Sequence, residues 1–400
     1  MTTHTCVEDL RQQYLRRVPR MFVDYAESGS YQEETIKANR RDFEAIKLEQ
    51  RILVDVSQRS TATTLLGQPV SLPLAIAPVG LLGMQHADGE IHAARAANAM
   101  GIPFCLSTMS VASIEDVAAE TGQPFWFQLY VMRDRPFIQR LIARAAAANC
   151  SALVLTVDLQ VLGQRHRDVK NGLSVPPRMT LANILNIATK PQWVKAILST
   201  KRRSFGNIVG HVSDVADTSS LGSWTASQFD PTLNWGDVKW IRDQWKGKLI
   251  LKGIMNAVDA QKAVDAGADA IVVSNHGGRQ LDGAPSSIAM LPKIADAVGN
   301  DIEVMFDGGI RSGQDLFRAL ALGAKSCLIG RAYIYGLGAL GKVGVKTAIE
   351  VIRKELDITM ALTGVTKIAD IDHRTLATET IPEETHVLEL AETRKAAGGR

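Results

Sequence analysis

Eight short apolar runs recur along this chain from about residue 70, most of them followed by a longer Ala-rich stretch. The runs are Leu74–Ala77, Phe104–Ser107, Phe125–Leu129, Ala152–Val157, Leu249–Lys252, Ala270–Ser274, Glu303–Asp307 and Ser326–Gly330. Helices are expected at Gly89–Met100, Ile114–Thr121, Pro136–Asn149, Ala257–Ala266, Ser287–Val298 and Gly313–Leu322. Continuously apolar strands are buried on both faces, and alternation with helices makes neighbouring strands parallel. Eight such units predict an α/β fold, a closed (β/α)8 TIM barrel, with its working face at the C-terminal strand ends. The 400 residues hold a barrel of roughly 250 residues plus additions. We assign residues 1–70 to a helical N-terminal extension and lead-in, and residues 71–366 to the barrel. An insertion spans about 170–235 after the fourth strand, and residues 367–400 form a polar tail.

The strand ends are polar where stability asks for nothing polar. They read Ala77-Pro78-Val79-Gly80, Ser107, Gln128 with Tyr130, Thr156 with Asp158, Lys252, Ser274-Asn275-His276, Asp307-Gly308-Gly309 and Gly330-Arg331. Their convergence on one face predicts an active site there. After the sixth run come His276, two glycines and Arg279. A histidine exchanges a proton near neutral pH, and an arginine grips a carboxylate with two hydrogen bonds. The loops after strands seven and eight, with Arg311 and Arg331 among glycines, fit a bound phosphate. A lysine ending a barrel strand, Lys252, needs an anionic partner. The run Gly336-Leu337-Gly338-Ala339-Leu340-Gly341 spells G-x-G-x-x-G. Too little chain follows it for a dinucleotide-binding half, so its glycines are expected to shape the turn into the last helix.

Other function classes find little support. A formal charge of +3 is too small to argue for nucleic acid. The eight histidines lack metal-ligand spacing, so no metal is expected. Cys105 and Cys327 sit in apolar runs as small core residues, which points to a reducing compartment. The charged N-terminus has no signal-peptide core, and no apolar run is long enough to span a bilayer as a helix. Within the insertion, Met179–Arg203 spaces Leu181, Ile184, Leu185, Trp193, Val194, Ile197 and Leu198 near helical periodicity and ends in Lys201-Arg202-Arg203. That pattern fits an interfacial membrane helix, and equally a lid or a subunit contact.

SNHGGRQLD, preceded by LILKG and followed by DGGIRSG and LIGRA, resembles the FMN-dependent α-hydroxy-acid dehydrogenase and oxidase family. APVGLLG, LSTMS, WFQLYV and LTVD match in order, and the likeness runs from about Tyr14 to about Thr366. Within that family the chain is most similar to the bacterial membrane-associated L-lactate dehydrogenases. The resemblance implies FMN as cofactor. It implies that His276 takes up the substrate's α-hydroxyl proton, with Asp158 stabilising its cationic form. Arg279 and Tyr25 would bind the substrate carboxylate, assisted by Arg165, and Tyr130 would contact the hydroxyl oxygen. Lys252 would face the flavin edge where negative charge appears on reduction, while Ser107, Gln128 and Thr156 would hydrogen-bond the ring. Asp307, Gly308, Gly309, Arg311, Gly330 and Arg331 would hold ribityl and phosphate, and Ala77, Pro78, Val79, Gly80 and Ser274 complete the cofactor site.

The expected reaction is oxidation of L-lactate to pyruvate, with electrons passing to a quinone or another non-oxygen acceptor. Gly80 and Met109 stand where oxidase-like relatives carry bulkier residues, which leaves room for a larger substrate side chain. A mandelate-type dehydrogenase, a soluble peroxide-producing oxidase, an FMN-dependent isomerase and a non-catalytic phosphate binder remain as alternatives. By analogy with the family, the protein is expected to be a homotetramer, either cytoplasmic or peripheral on the cytoplasmic side of the inner membrane.

Overall fold

The computed structural model describes residues 3–173, 179–212 and 228–377. Three helices open the chain: α1 (Val7–Arg17), α2 (Arg20–Glu27) and α3 (Glu34–Ala45). A hairpin of β1 (Thr63–Leu65) and β2 (Gln68–Val70) follows, so the lead-in is not helical throughout. The barrel strands are β3 (Leu74–Ile76), β4 (Cys105–Ser107), β5 (Trp126–Tyr130), β6 (Ala152–Thr156), β7 (Lys248–Ile254), β8 (Ala270–Val273), β9 (Glu303–Phe306) and β10 (Ser326–Ile329). All neighbours pair in parallel, and a bridge from Ile76 to Phe104 joins the first strand to the second, closing the ring. The molecule is therefore a (β/α)8 barrel.

The unbroken apolar runs have a direct cause. Alternate residues point opposite ways along a strand. One set, with Ala75, Trp126, Val154, Ile250, Val272 and Met305, fills the barrel, and the other, with Ile76, Phe127, Leu251 and Phe306, packs outward on the helices. Leu65, Leu66 and Val70 of the hairpin join the inner cluster. The Leu66 backbone N–H donates to Glu303 at the start of β9 (3.0 Å), so the hairpin plugs the N-terminal mouth. The C-terminal mouth holds an open cavity.

The outer helices are α4 (Leu82–Gln85), α5 (Gly89–Ala99), α6 (Ile114–Thr121), α7 (Arg135–Ala147), α8 (His166–Lys170), α9 (Leu181–Ala188), α10 (Pro191–Ser199), α11 (Trp235–Gln244), α12 (Ala257–Asp265), α13 (Ser287–Val298), α14 (Gly313–Ala321), α15 (Arg331–Leu340) and α16 (Lys342–Leu362). Several start on a side-chain cap: Ser113 for α6, Asn256 for α12, Ser286 for α13 and Ser312 for α14 each accept from a first-turn N–H. These caps fix where each strand-to-helix loop ends.

Two further expectations change. In the G-x-G-x-x-G run only Gly341 shapes the turn, with φ +61°. Gly336 and Gly338 lie inside α15, where a Cβ would stand 2.2 Å from the Gly344 carbonyl oxygen and 2.3 Å from the Tyr14 ring. Met179–Arg203 forms two short helices, α9 and α10, broken at Lys190-Pro191. Trp193 turns inward, its ring against Phe22 (centroids 5.5 Å apart) and its Nε1 donating to the Met84 carbonyl (2.9 Å). Arg202 is likewise occupied, paired with Asp88, Asp116 and Glu120. Met179, Leu181, Ile184, Leu185 and Leu198 are exposed. The remaining parts of the insertion (174–178 and 213–227) and of the tail (378–400) lie outside the described residues.

Candidate active site

The open mouth holds a cavity of about 260 Å³. Every strand-end and site residue singled out from the sequence lines it except Ser107, Gln128, Asp158, Ser274 and Asn275, which stand behind it. His276 sits at φ +57° and is followed by Gly277 and Gly278 at +65° and +76°, a left-handed turn that only the glycines adopt without strain. The turn brings His276 Nδ1 to 2.9 Å from Asp158 Oδ1. Asp158 is partly buried; burial alone would raise its carboxyl, but the charge of His276 and the hydrogen bond from it outweigh this and hold it below the usual carboxylate range. Gly253 makes room for this pair. Its φ is +111°, β7 shifts register beside it, and a Cβ there would lie 2.7 Å from the Asp158 side chain. The sequence signal existed, since a glycine within an apolar strand run marks a close approach.

Lys252 lies within β7, two residues before its end, rather than at its tip. Its anionic partner is Asp307 (Nζ–Oδ2 2.9 Å), and it also donates to Ser274 Oγ (2.9 Å). Burial would lower the ammonium, but Asp307 and then Asp158 raise it. Ser274 Oγ also accepts from the His276 N–H (3.1 Å), linking the lysine to the histidine turn.

Arg279 is partly buried, and its guanidinium donates to the carbonyls of Tyr25 (2.5 Å) and Ser28 (3.1 Å). The Tyr25 ring lies near two cations, Arg279 at 4.8 Å and Arg165 at 5.9 Å. Arg165 already has an acid, Asp168 (2.6 Å). Arg331 donates to the carbonyls of Ala26, Gly277 and Ser28, and burial, then Arg311 and Arg279, push it down to about 9. Among the described residues no carboxylate pairs with Arg279, Arg311 or Arg331. Three such arginines around one cavity make a site for anions.

The loops fit a bulky anionic cofactor. Gly308 and Gly309 have φ +107° and +109°, and a Cβ on Gly309 would strike the Asn39 carbonyl at 2.2 Å. Gln128 Oε1 accepts from Ser107 Oγ (3.0 Å), whereas among the described residues its buried Nε2 has no acceptor and Asp307 Oδ1 has no donor. Such orphaned buried groups await a partner.

The match to known proteins completes this picture. A model of FMN-dependent dehydrogenases covers residues 15–378. The chain belongs to the FMN-dependent dehydrogenase family. FMN is the cofactor of this dehydrogenase. An L-lactate dehydrogenase of Caulobacter vibrioides is 48% identical over 376 residues, 94% of this chain and 97% of the relative. One of Ectopseudomonas mendocina is 45% identical over 372 residues, 93% and 98%. The solved structure of the monotopic membrane protein (S)-mandelate dehydrogenase superposes with a TM-score of 0.90 at 36% identity, covering 94% of this chain and all of that one. Mandelate oxidase follows at 0.80 and 36%, covering 94% and 98%.

Sequence reasoning missed apolar wall residues of this dehydrogenase, among them Phe205 and Phe229, both from the insertion. Phe229 meets the Tyr130 ring edge-on at 6.4 Å. Nothing local marks them, because their place depends on the path of a long connection.

Proposed function

We propose that this dehydrogenase oxidises an L-2-hydroxy acid to the 2-oxo acid, with L-lactate to pyruvate as the physiological pair. The observation that carries the reading is the His276–Asp158 pair facing the same cavity as Arg279 and Tyr25. Arg279 and Tyr25 hold the substrate carboxylate, a fixed fork against a planar anion. Nδ1 of His276 is engaged by Asp158, so Nε2 takes the α-hydroxyl proton, and Asp158 stabilises the cation that forms. Tyr130 donates to the oxygen that loses this proton. Bound FMN supplies the acceptor for the α-hydrogen and its electron pair. Lys252 lends positive charge at the ring, Gln128 Nε2 gives a hydrogen bond, and Arg311, Arg331, Gly308 and Gly309 hold the phosphate end. The names of the lactate dehydrogenase relatives support the substrate.

The test is to mix the purified enzyme anaerobically with L-lactate and follow the flavin absorbance. Bleaching within the turnover time supports the reading; an unbleached spectrum with L-lactate overturns the substrate. A second reading has a specific observation behind it. Met109, Phe205 and Phe229 make an apolar wall larger than a methyl group needs. If L-lactate fails and (S)-mandelate bleaches the flavin, the larger acid is the substrate.

We further propose a quinone as electron acceptor and a peripheral site on the cytoplasmic side of the inner membrane. Exposed Leu181, Ile184, Leu185 and Leu198 support a shallow docking face, and no helix among the described residues is long and apolar enough to cross a bilayer. Leu181→Glu with Leu185→Glu should abolish flotation with vesicles; unchanged flotation removes the docking claim. Peroxide formed at the rate of substrate turnover would overturn the quinone in favour of oxygen. Homotetramer assembly is proposed by family likeness. Exposed Ile52, Leu53 and Val54 beside exposed Leu362 supply an apolar face for it, which sedimentation tests.

A further inference from the structure

We infer that Asn39, on the N-terminal extension, is a positioning residue for His276 and acts through Asn275. This inference rests on the reading of His276 as the group that takes the substrate proton.

The two amides face each other 236 residues apart in sequence. Asn39 Nδ2 donates to Asn275 Oδ1 at 2.9 Å, and Asn275 Nδ2 donates back to Asn39 Oδ1 at 2.8 Å. Both side chains are buried. Backbone groups decide which way each amide points. The Ser287 N–H donates to Asn39 Oδ1 (3.2 Å), so that atom is the oxygen. The Gly278 N–H donates to Asn275 Oδ1 (3.1 Å), and Asn275 Nδ2 donates to the Pro285 carbonyl (3.3 Å). Neither amide can flip without setting donor against donor.

Asn275 precedes His276 directly, and its side chain reaches across the turn to Gly278. It therefore closes the left-handed segment in which a non-glycine residue, His276, holds φ +57°. Such a conformation persists only where its surroundings over-determine it. Asn39 supplies, through Asn275, the side-chain part of those surroundings that comes from outside the barrel. The rest of α3 and the chain before it press on the same loop. A Cβ on Gly278 would lie 2.7 Å from the Ile36 nitrogen, and the Ser30 N–H donates to the Gly278 carbonyl (2.9 Å). The Asn39 carbonyl also lies against Gly309, so one residue of the extension braces both the histidine turn and the phosphate-side loop. The charged groups around the turn have partners, Arg331 included, which donates to the Gly277 carbonyl (2.9 Å). Arg40 pairs with Asp315, Asp42 accepts from Ser286 Oγ, and Lys252 pairs with Asp307.

Asn39→Asp tests the role with almost no change of shape. The ionised carboxylate keeps its acceptors but cannot donate to Asn275 Oδ1, so oxygen faces oxygen. Protonated, the introduced carboxyl donates again and restores the pair. A displacement of about 1 Å in a catalytic group costs on the order of 10²-fold in rate. We expect flavin reduction at saturating substrate to slow by about 10–100-fold at pH 8, with KM and FMN content close to the parent's. The ratio of variant to parent rate should climb towards one as pH falls. Independently of turnover, the ring-proton resonances of His276, assigned by their loss in His276→Ala, should shift in Asn39→Asp at pH 8 and return at low pH. The double variant Asn39→Ala/Asn275→Ala should lose no more rate than the worse single variant. A pH-independent ratio with unshifted His276 resonances would overturn the inference. So would rate losses that add in the double variant. If Asn39→Asp does not fold, the Asn39→Ala series and its His276 resonances decide the matter alone. Failure of the parent to reduce its flavin with any 2-hydroxy acid would instead fault the proposed reaction, while the resonances would still decide whether Asn39 positions the ring.

Discussion

Asp158 Oδ1 stands 2.9 Å from Nδ1 of His276, which lines the cavity at the C-terminal mouth of the barrel. The pair spans 118 residues and joins the loop after β6 to the loop after β8. Gly253, on the strand between them, is what lets the carboxylate approach.

Asp158→Asn keeps the shape and removes the charge. The rate of flavin reduction should fall by about 10²-fold, since the group no longer stabilises a protonated ring. FMN content should not change. The parent carboxyl is held below its ordinary value of 3.8, so its stabilising contribution is present above that pH and is lost as pH falls through the lowered value. Acid unfolding followed by circular dichroism should accordingly show a weaker pH dependence in the variant.

Arg279→Met removes a partly buried guanidinium that holds the Tyr25 and Ser28 carbonyls. Losing the partner of a desolvated carboxylate costs about 2–5 kcal/mol of binding, a KM raised by roughly 30-fold or more. Arg279→Lys should recover only part of this, because an ammonium offers no fork. Steady-state kinetics with L-lactate checks both; an unchanged KM would remove Arg279 from carboxylate binding.

Lys252→Met leaves Asp307 buried without its cation. Breaking a buried ion pair from one side costs about 3–5 kcal/mol. Chemical denaturation should show this loss, and Lys252→Met with Asp307→Leu should recover much of it. Flavin reduction should stay slow in both, since the stability loss arises from the orphaned acid and the rate loss from the missing positive charge.

Glu90 is buried in α5, where Oε1 accepts from the N–H groups of Gly83 (3.2 Å) and Val111 (2.9 Å). Burial raises its carboxyl above the ordinary value of 4.5, which the backbone donors only partly oppose. A raised folded value means its contribution is fully present below 4.5 and is lost as pH rises through the folded value. Glu90→Gln mimics the neutral form. The Tm of the variant minus that of the parent should therefore be more positive at pH 8 than at pH 5, as differential scanning calorimetry would show. The opposite slope would contradict a raised carboxyl.

The sequence alone determined the barrel, because strands buried on both faces must be apolar at every position and their helices need capping residues at fixed places. It also determined which residues lie at the open mouth, since strand ends are local features: His276, Arg279, Lys252 and the Gly308-Gly309 loop were all legible there. What only the tertiary structure decided is which of these groups meet. Asp307 as the partner of Lys252, Asn39 as the partner of Asn275, and Phe205 and Phe229 as wall residues each depend on how strands far apart in sequence are brought together by closure of the ring. The insertion shows the same limit. Its period suggested a single face, but Trp193 and Arg202 found neighbours in the body of the molecule, and periodicity does not say which apolar or charged side chain has a partner waiting. Hydrophobic pattern is written residue by residue, whereas pairing of polar groups depends on distances that exist only once the chain has closed on itself.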